Sequence, residues 1–347
     1  CRNACPNRIP IPCKIRDKTR GVCNGCDKKS TCKLTKRFYS AQRAQTEYKY
    51  RLSDSREGVN LTYSELNAIA AIIVEPIKNG QSVYAVLQAH PEIHHCEKTI
   101  YNWIEIGVFQ PFGLTNLDLR SRVTRKLKKK DQVKYKKRED RAYLKGRTYD
   151  CFETYMREHP SLSVVEMDTV YNDGTNGPFI QTFMLVSFGI MIGVLHSAKN
   201  AKTMAVGVRY VKTLLGDDLF HSIFQVLLTD RGSEFSDAFA FEELVGHVFY
   251  CDPMASWQKP HVENNHRLLR YICPKEKDLN QLGLHSQADL DLIFSHINSY
   301  PRKERYGKSP IEEFTFYHPE SEAILSALHI QCVDKDKIIL NPALIKK

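Results

Sequence analysis

The order of apolar segments in the second half of the chain restricts the possible fold more than any other feature. An apolar run with carboxylates inside it covers 164–171, and two further apolar runs follow at 179–186 and 188–195. Short runs rich in Val, Ile and Phe between turn residues are typical of buried strands. Asn172-Asp173-Gly174 supplies a turn signal after the first run. The three runs therefore predict a meander of antiparallel strands.

The remaining segments alternate helix and strand. Helical periodicity over 202–214 precedes a strand at 224–228, and a strand at 248–251 precedes a helix over 260–272. The order β-β-β-α-β-α-β-α is that of an α/β RNase H-like fold. The apolar stretch 179–195 is at the lower limit for a membrane span and contains polar and Gly residues. Two strands are predicted there instead, and no secretory signal opens the chain.

Three carboxylates occupy informative positions in this order. Asp168 lies inside the first strand, Asp230 directly follows the fourth, and Glu263 lies on the helix after the fifth. A buried carboxylate is costly unless it is paired or bound to metal. Oxygen ligands without a His/Cys set favour Mg²⁺ or Mn²⁺, and two such ions can activate the attacking oxygen and stabilise the leaving oxygen at a phosphodiester. A salt bridge or a helix cap explains each acid singly, so the prediction depends on all three.

Charge is distributed unevenly along the chain. Residues 1–150 carry 31 Lys+Arg against 15 Asp+Glu, whereas residues 151–347 carry 19 against 25. A surplus of this size predicts a polyanionic partner, because Lys and Arg displace counterions from phosphates; solubility alone is the alternative. The segment 120–147, with 14 Lys+Arg and 3 Asp+Glu, is predicted to be a linker that follows the DNA backbone. Its densest phosphate-contacting candidates are Arg125, Lys126, Lys128, Lys129 and Lys130.

Residues 61–106 have the pattern of three short helices. Thr62 and Glu65 form a capping-box sequence, and Ser82 can cap the second helix. The third helix, over 97–106, has one apolar and one polar face. This all-α pattern predicts a helix-turn-helix whose third helix enters the major groove; a bundle for protein contacts is the alternative. The candidate DNA-contacting side chains on the third helix are Lys98, Thr99, Tyr101 and Asn102.

Cysteine is concentrated at the front of the chain, where six of the eleven residues lie within the first 32. Cys23 and Cys26 form a CxxC pair, a spacing that lets two thiolates bind one Zn²⁺. Cys13 and Cys32 flank this pair and are candidates for the other two ligands of a structural zinc ion. A disulfide framework of a secreted protein is the alternative, but the rest of the chain has a cytosolic character, which favours metal. The first residue is Cys1, so a fragment is expected.

Several motifs in order resemble the IS30 family of bacterial transposases, which are DDE enzymes with a retroviral-integrase-like catalytic core. The resemblance covers roughly residues 60–315, and its most specific stretches are 229–235, 251–265, 297–303 and 306–310. It implies that Asp168, Asp230 and Glu263 form a catalytic triad that holds two Mg²⁺ or Mn²⁺ ions. Two features depart from the family pattern: Arg231 stands where many relatives have Asn, and the 32 residues between Asp230 and Glu263 are slightly fewer than usual. Glu166, Asp173, Glu234 and Asp252 are nearby alternatives to the triad acids. The Cys-rich front lies outside the resemblance.

The resemblance implies a DNA transposase that binds terminal inverted repeats, cleaves DNA and transfers the 3′-OH strand to target DNA. Double-stranded DNA would be its partner, a homo-oligomer in a synaptic complex its working form, and the bacterial cytoplasm at the nucleoid its location. On the helix of Glu263, Arg267 and Arg270 are spaced to contact donor-strand phosphates. An RNase H-like nuclease without strand transfer and a domesticated DNA-binding regulator are the alternatives.

The predicted organisation has five parts. They are a Cys-rich module at 1–40, a helix-turn-helix domain at 58–112, a basic linker at 113–150, an RNase H-like catalytic domain at 160–315 and a C-terminal tail at 316–347.

Overall fold

The computed structural model describes residues 11, 13–18, 21–54, 59, 61–120, 142–172, 177–275 and 277–346. These residues fold as two compact units, Cys1–Thr62 and Tyr63–Lys347. The five residues predicted to contact DNA phosphates lie outside the described residues: Arg125, Lys126, Lys128, Lys129 and Lys130. No helix in the described part of the chain is long and apolar enough to cross a membrane.

The described residues of the first unit include the helices α1 (Lys14–Lys18) and α2 (Ala41–Asp54). Between them, the backbone N–H of Arg37 donates to the Sγ of Cys23 at 3.4 Å. The Asn24 side chain exchanges two hydrogen bonds with the backbone of Tyr39, at 2.6 and 2.8 Å. The CxxC turn is therefore tied to the segment that leads into α2.

The second unit is built on one five-stranded sheet. Its strands are β1 (Val164–Val170), β2 (Phe179–Leu185), β3 (Ile190–His196), β4 (Val226–Thr229) and β5 (His247–Tyr250). The spatial order is β3-β2-β1-β4-β5, with β1, β2 and β3 antiparallel and β4 and β5 parallel to β1. This mixed sheet with flanking helices fits an RNase H-like fold, and the predicted meander is present.

Among the described residues, three α-helices lie between Tyr63 and Arg120. They are α3 (Tyr63–Lys78), α4 (Val83–Ala89) and α5 (Glu97–Glu105). The α4 helix begins where predicted, because the Ser82 side chain accepts a hydrogen bond from the Ala85 N–H. Ile73, Ile77 and Ile100 are fully buried, so the apolar faces of the helices pack as their periodicity predicts.

Eight helices in the described residues surround or follow the sheet. They are α6 (Tyr149–Glu158), α7 (Ala201–Leu215), α8 (Asp217–Ile223), α9 (Ala238–Val245), α10 (Pro260–Ile272), α11 (Gln287–Ser299), α12 (Pro310–Tyr317) and α13 (Ser321–Ala327). The α11 helix packs on β3, where Gly193 lies against the ring of Phe294. A Cβ at Gly193 would overlap that ring, so glycine permits the close approach.

The fourth strand differs from its predicted start. The sequence places it at 224–228, but Phe224 ends α8 and its ring stacks on Phe220 at 4.5 Å. The strand begins at Val226 instead. Burying two aromatic rings between α8 and the sheet outweighs the β-propensity of Phe224. The helices α6 and α8 were not predicted.

The C-terminal segment is folded onto both preceding parts of the second unit. Ile324, Ile338 and Leu340 are buried in the main hydrophobic core. The Leu340 N–H donates to the carbonyl of Asn79 at 2.7 Å, and Gln81 Nε2 donates to carbonyls in 335–338 at 2.7 and 3.1 Å. We call residues 334–341 the C-terminal strap, since it fastens the α3–α4 turn to the rest of the unit.

Candidate active site

The first strand places two acids on one side of the sheet. Glu166 and Asp168 are two residues apart on β1, so their side chains project from the same face. Asp168 is paired in register with Thr182 of β2, whose hydroxyl donates to the Asp168 carbonyl at 3.2 Å. Glu166 is paired with Leu228 of β4, the neighbour on the other side. The acids therefore lie at the middle of the sheet.

Asp230 follows β4 directly, at the edge where parallel strands end. Its Oδ1 accepts a hydrogen bond from the Gly232 N–H at 2.8 Å, which fixes the carboxylate at the turn. A Cβ at Gly232 would come within 3.0 Å of carboxylate atoms of both Asp230 and Glu234, so the turn needs a glycine. Because β4 is parallel to β1, its carboxyl end delivers Asp230 next to Asp168.

The third acid, Glu263, stands in the first turn of α10. Two contacts hold the start of this helix on β1. The Val262 N–H donates to Glu166 Oε2 at 2.7 Å, and the Lys259 ammonium lies 2.9 Å from Asp168 Oδ2. A carboxylate at a helix N-terminus is stabilised by the free N–H groups and by the helix dipole. Glu166 thereby becomes the cap that positions Glu263.

The carboxylates influence one another electrostatically. Burial raises the pKa of Asp230 and of Glu263 above their ordinary values, and the charge of Asp168 raises both further. Burial works in the same direction on Asp168, but the adjacent Lys259 ammonium outweighs it and keeps the pKa of that carboxyl below its ordinary value. Lys259 is therefore paired with Asp168, and its charge also acts on Asp230 and Glu263.

Lys259 is the residue of this site that sequence reasoning missed. It is only 3% exposed, and burial alone would lower the pKa of its ammonium, yet Asp168 and Asp230 hold that pKa above the ordinary value. A signal was present in the sequence. Lys259 occupies the N-cap position of α10, immediately before Pro260 at N1, where a short oxygen-bearing side chain is usual.

The residues fit a divalent cation by their chemistry. Glu166, Asp168, Asp230 and Glu263 offer hard carboxylate oxygens, and an ammonium stands among them as the compensating positive charge. Within the described ranges, however, no three His, Cys, Asp or Glu side chains form a cluster ready to hold a metal ion. Metal coordination and catalysis by Asp168, Asp230 and Glu263 remain predictions.

Neighbouring side chains complete the pocket. His266 Nε2 lies 2.8 Å from Thr182 Oγ1, and burial lowers the pKa of His266 to about 4, so the ring is neutral. Glu234 forms an ion pair with Lys199 at 3.0 Å, and Arg231 forms one with Asp252 at 2.5 Å. These pairs neutralise the acids that surround the triad. Asp173 lies outside the described residues.

The loop before α10 presents an aromatic side chain to solvent. Trp257 is 74% exposed, which excludes core packing for it. The loop is closed at its base, because Gln258 Oε1 accepts from the Asp252 N–H at 2.6 Å and its Nε2 donates to Asp252 Oδ2 at 3.1 Å. The exposed indole is therefore carried on a fixed loop next to Glu263.

The predicted DNA-contacting residues fall into three groups. On α5, Lys98 and Asn102 are exposed and Thr99 is half-buried, whereas Tyr101 faces a cleft shared with the sheet-bearing part of the unit. Arg267 is exposed and lines the same cleft. Arg270 donates to Asn172 Oδ1 and to the Tyr171 carbonyl, so it joins the end of β1 to α10.

In the first unit, the four candidate zinc ligands line a single cavity of about 340 Å³. They are Cys13, Cys23, Cys26 and Cys32, and all four are free thiols of intermediate burial. The described residues of this unit contain no ready metal cluster either.

Comparison with known proteins gives relatives by sequence. The transposase of insertion sequence IS1086 from Cupriavidus metallidurans is 36% identical over 89 residues, which are 25% of this chain and 25% of that protein. Transposase InsI of IS30A from Escherichia coli is 37% identical over 87 residues, 25% of this chain and 22% of its own. The transposase of IS4351 from Bacteroides fragilis is 25% identical over 52% of this chain and 57% of its own. Transposases of IS30-type elements are therefore relatives of this chain.

The similarity to the first two relatives spans about a quarter of their own length. Among solved structures, the catalytic core domain of BIV integrase aligns with a TM-score of 0.31 at 17% identity, over 44% of this chain and 93% of its own. No protein-family model matches.

Proposed function

We propose that this chain, a relative of the IS30-element transposases, is a DNA transposase that cleaves DNA and joins the freed 3′-OH end to target DNA. The observation that carries the proposal is the buried ion pair of Lys259 with Asp168, together with the electrostatic influence of both groups on Asp230 and Glu263. The chemistry of that site suits phosphodiester transfer, and the named activity of the relatives supports DNA as the substrate. Residues 160–315 would carry the reaction.

The chain's own residues would perform distinct tasks. Asp168, Asp230 and Glu263 would hold two Mg²⁺ or Mn²⁺ ions, which supply charge stabilisation for the attacking and leaving oxygens. The exposed Trp257 would contact a DNA end by stacking on a base. Glu166 would keep α10 on β1, so that Glu263 stays aligned with Asp168. The Lys259 ammonium would compensate the buried carboxylates until ions enter.

Sequence-specific binding is proposed for the three-helix region. Lys98, Thr99 and Asn102 of α5 would contact base edges in the terminal inverted repeats, and the basic segment before α6 would contact phosphates. The first unit would be a structural zinc module held by Cys13, Cys23, Cys26 and Cys32. A homo-oligomer would pair two element ends in the cytoplasm of a bacterium.

The catalytic assignment is tested by Asp230→Asn. The substitution keeps the hydrogen-bonding shape of the turn but removes one charge, so Mg²⁺-dependent cleavage of labelled end DNA should fall by at least about a thousandfold. Binding of the same DNA, measured by gel shift without metal, should be unchanged. Asp237→Asn, at the exposed N-cap of α9, is the matched control. Full activity of the Asp230 variant would refute the assignment.

The same assay separates the alternatives. Labelled end DNA, a target plasmid and Mg²⁺ should yield joined products. Nicking without joining would identify a nuclease, and binding without either reaction would identify a regulator that has lost the chemistry.

A further inference from the structure

A basic cleft of about 700 Å³ lies beside the catalytic face, between α5, the outer face of α10 and the loop 300–305. Its basic lining residues are Arg120, Arg267, Arg302, Lys303 and Arg305, and its acidic ones are Glu97 and Glu304. Glu97 is already paired with Lys303 at 3.0 Å, and Arg305 is paired with Glu313. Positive charge therefore exceeds negative charge in the cleft.

Arg120 lines this cleft and has no counter-ion among the residues that the structure describes. Its guanidinium contacts the rings of Tyr271 and Tyr300, whose centroids lie 4.6 and 4.7 Å from Cζ. Nη1 donates to the Tyr300 hydroxyl at 2.9 Å. Nε and Nη2 are buried and find no acceptor among the described residues. A buried donor left without a partner is destabilising, so the contacts with the two rings do not by themselves account for this arrangement.

Arg302 also contacts Tyr300, with Cζ 5.7 Å from the ring centroid. Its Nη2 donates to Asn265 Oδ1 at 2.8 Å and to the Ile297 carbonyl at 3.0 Å, both neutral acceptors. Burial lowers the pKa of Arg302 to about 10, and the nearby charge of Arg120 contributes to the lowering. In the described part of the chain, ion pairs are formed by Arg51, Arg147, Arg231 and Arg305, but not by Arg120 or Arg302.

Two guanidiniums on one tyrosine, both held by neutral groups, form a preorganised anion site. Bidentate N–H donors and a planar cation match the oxygens of a phosphate group. Arg267 lines the cleft and stands one helical turn from Glu263, so the cleft is continuous with the catalytic face.

We propose that this cleft binds a phosphodiester of the DNA backbone through Arg120 and Arg302. The identity of the ligand as DNA rests on the proposed function, whereas the anion site rests on the geometry of the cleft. Binding through Arg120 and Arg302 would not depend on the base sequence, because a backbone phosphate is the same in every sequence. They would fix the duplex at the joint between the three-helix region and the sheet-bearing region.

The test identifies which phosphate of the DNA each arginine contacts. Duplexes carrying one neutral methylphosphonate at successive backbone positions are titrated, without divalent metal, against the full chain and its Arg120→Gln, Arg302→Gln and Arg120→Lys variants. Arg209→Gln, an exposed arginine of α7 outside the cleft, is the matched control. Circular dichroism identifies any variant that does not fold, and Arg120→Lys retains the charge for that case.

With the wild-type chain, a methylphosphonate at one backbone position of the DNA, or at two adjacent positions, should weaken binding about tenfold. The same substitution should have no further effect in Arg120→Gln or Arg302→Gln, and Arg120→Lys should retain an intermediate effect. The slope of log K against log salt should fall by about 0.9 for each Gln variant and stay unchanged for Arg209→Gln. Equal methylphosphonate profiles in the wild type and both Gln variants would overturn the proposal, as would absence of DNA binding by the wild type.

A measurement with inorganic phosphate alone shows whether the cleft binds a free phosphate ion instead of a phosphate of the DNA backbone. If millimolar phosphate raises the melting temperature of the wild type but not of Arg120→Gln, while both show the same DNA profile, the cleft binds a free anion and the DNA assignment is wrong. If the Gln variants lose the effect of one methylphosphonate but the wild type shows no Mg²⁺-dependent cleavage, the phosphate site in the cleft is supported and the proposed transposase activity is wrong.

Discussion

The buried ammonium of Lys259 sets the charge balance of the candidate site. Removing one partner of a buried ion pair leaves the other charge uncompensated and costs about 3–5 kcal/mol. In Lys259→Met, the metal-free protein should therefore lose roughly 3 kcal/mol of unfolding free energy, measured by urea denaturation. Millimolar Mn²⁺ should recover much of this loss, because the ion replaces the missing positive charge.

Lys303→Met is the control for this experiment, since Lys303 forms an exposed ion pair with Glu97 and should change neither quantity measurably. Equal stability of Lys259→Met and the wild type without metal would show that Lys259 does not compensate the acids.

Glu166 should give the site a distinct pH dependence. Burial raises its pKa from 4.5 to about 7, so the folded protein retains this proton to higher pH than the unfolded chain. Because the folded state binds more protons between these values, the Glu166 contribution to unfolding free energy falls as pH rises from 4.5 to about 7. Glu166→Gln lacks this titration while keeping an acceptor for the Val262 N–H.

The stability of Glu166→Gln relative to wild type should therefore rise by up to about 3 kcal/mol across this pH range. Denaturant midpoints of both proteins at several pH values measure the difference. A difference that does not vary with pH would contradict the raised pKa.

The sequence predicts the positions of the three acids on the fold, but not the contacts that Lys259 and Glu166 make there. Asp168, Asp230 and Glu263 follow from the order of strands and helices, since that order determines which strand ends are neighbours. The contact between Lys259 and Asp168 joins residues 91 positions apart and depends on the exact seating of α10. Local pattern carries no information on such a contact. The contacts of Arg120 with Tyr271 and Tyr300 escaped prediction for the same reason.

At the scale of elements, the strand meander and α10 could be predicted because their apolar periodicity is strong. The α10 helix was predicted with its observed bounds, since Pro260 is preorganised for the first helical position. The α8 helix could not be predicted, because its short sequence is defined by ring stacking of Phe220 and Phe224 against the sheet. Tertiary contacts override weak local preference in short segments.

The C-terminal strap offers a test at this scale. Gln81 is buried and supplies hydrogen bonds to the carbonyls of Lys335 and Ile338. In Gln81→Ala both carbonyls lose their donor, so the strap should open more often. Hydrogen exchange of the Leu340 amide, which donates to Asn79, should accelerate at least about tenfold, as expected for a loss of 1–3 kcal/mol. Unchanged protection of that amide would show that other contacts fix the strap.

At the scale of the whole molecule, the chain divides into two units with separate internal contacts. If the four cysteines of the first unit bind zinc, chelation should affect this unit alone. Purified, reduced protein should contain about one zinc per chain, the stoichiometry of a four-ligand site. Its removal by EDTA should increase hydrogen exchange over 21–52 and leave that of β1 and β2 unchanged. A Cys151→Ser variant, outside the first unit, is the control for zinc content. Absence of zinc under reducing conditions would refute the module.

The two attachments of α10 to β1 have a consequence for how related sequences can diverge. Glu166 and Lys259 hold α10 on β1, and Gln258 closes the preceding loop by its hydrogen bond with Asp252. Residues can therefore be added or removed between Asp252 and Gln258 without moving Glu263. The number of amino acids separating the second acid from the third is then a free variable in evolution. The contacts of Glu166 and Lys259, rather than the length of the preceding loop, then determine the position of α10 on β1.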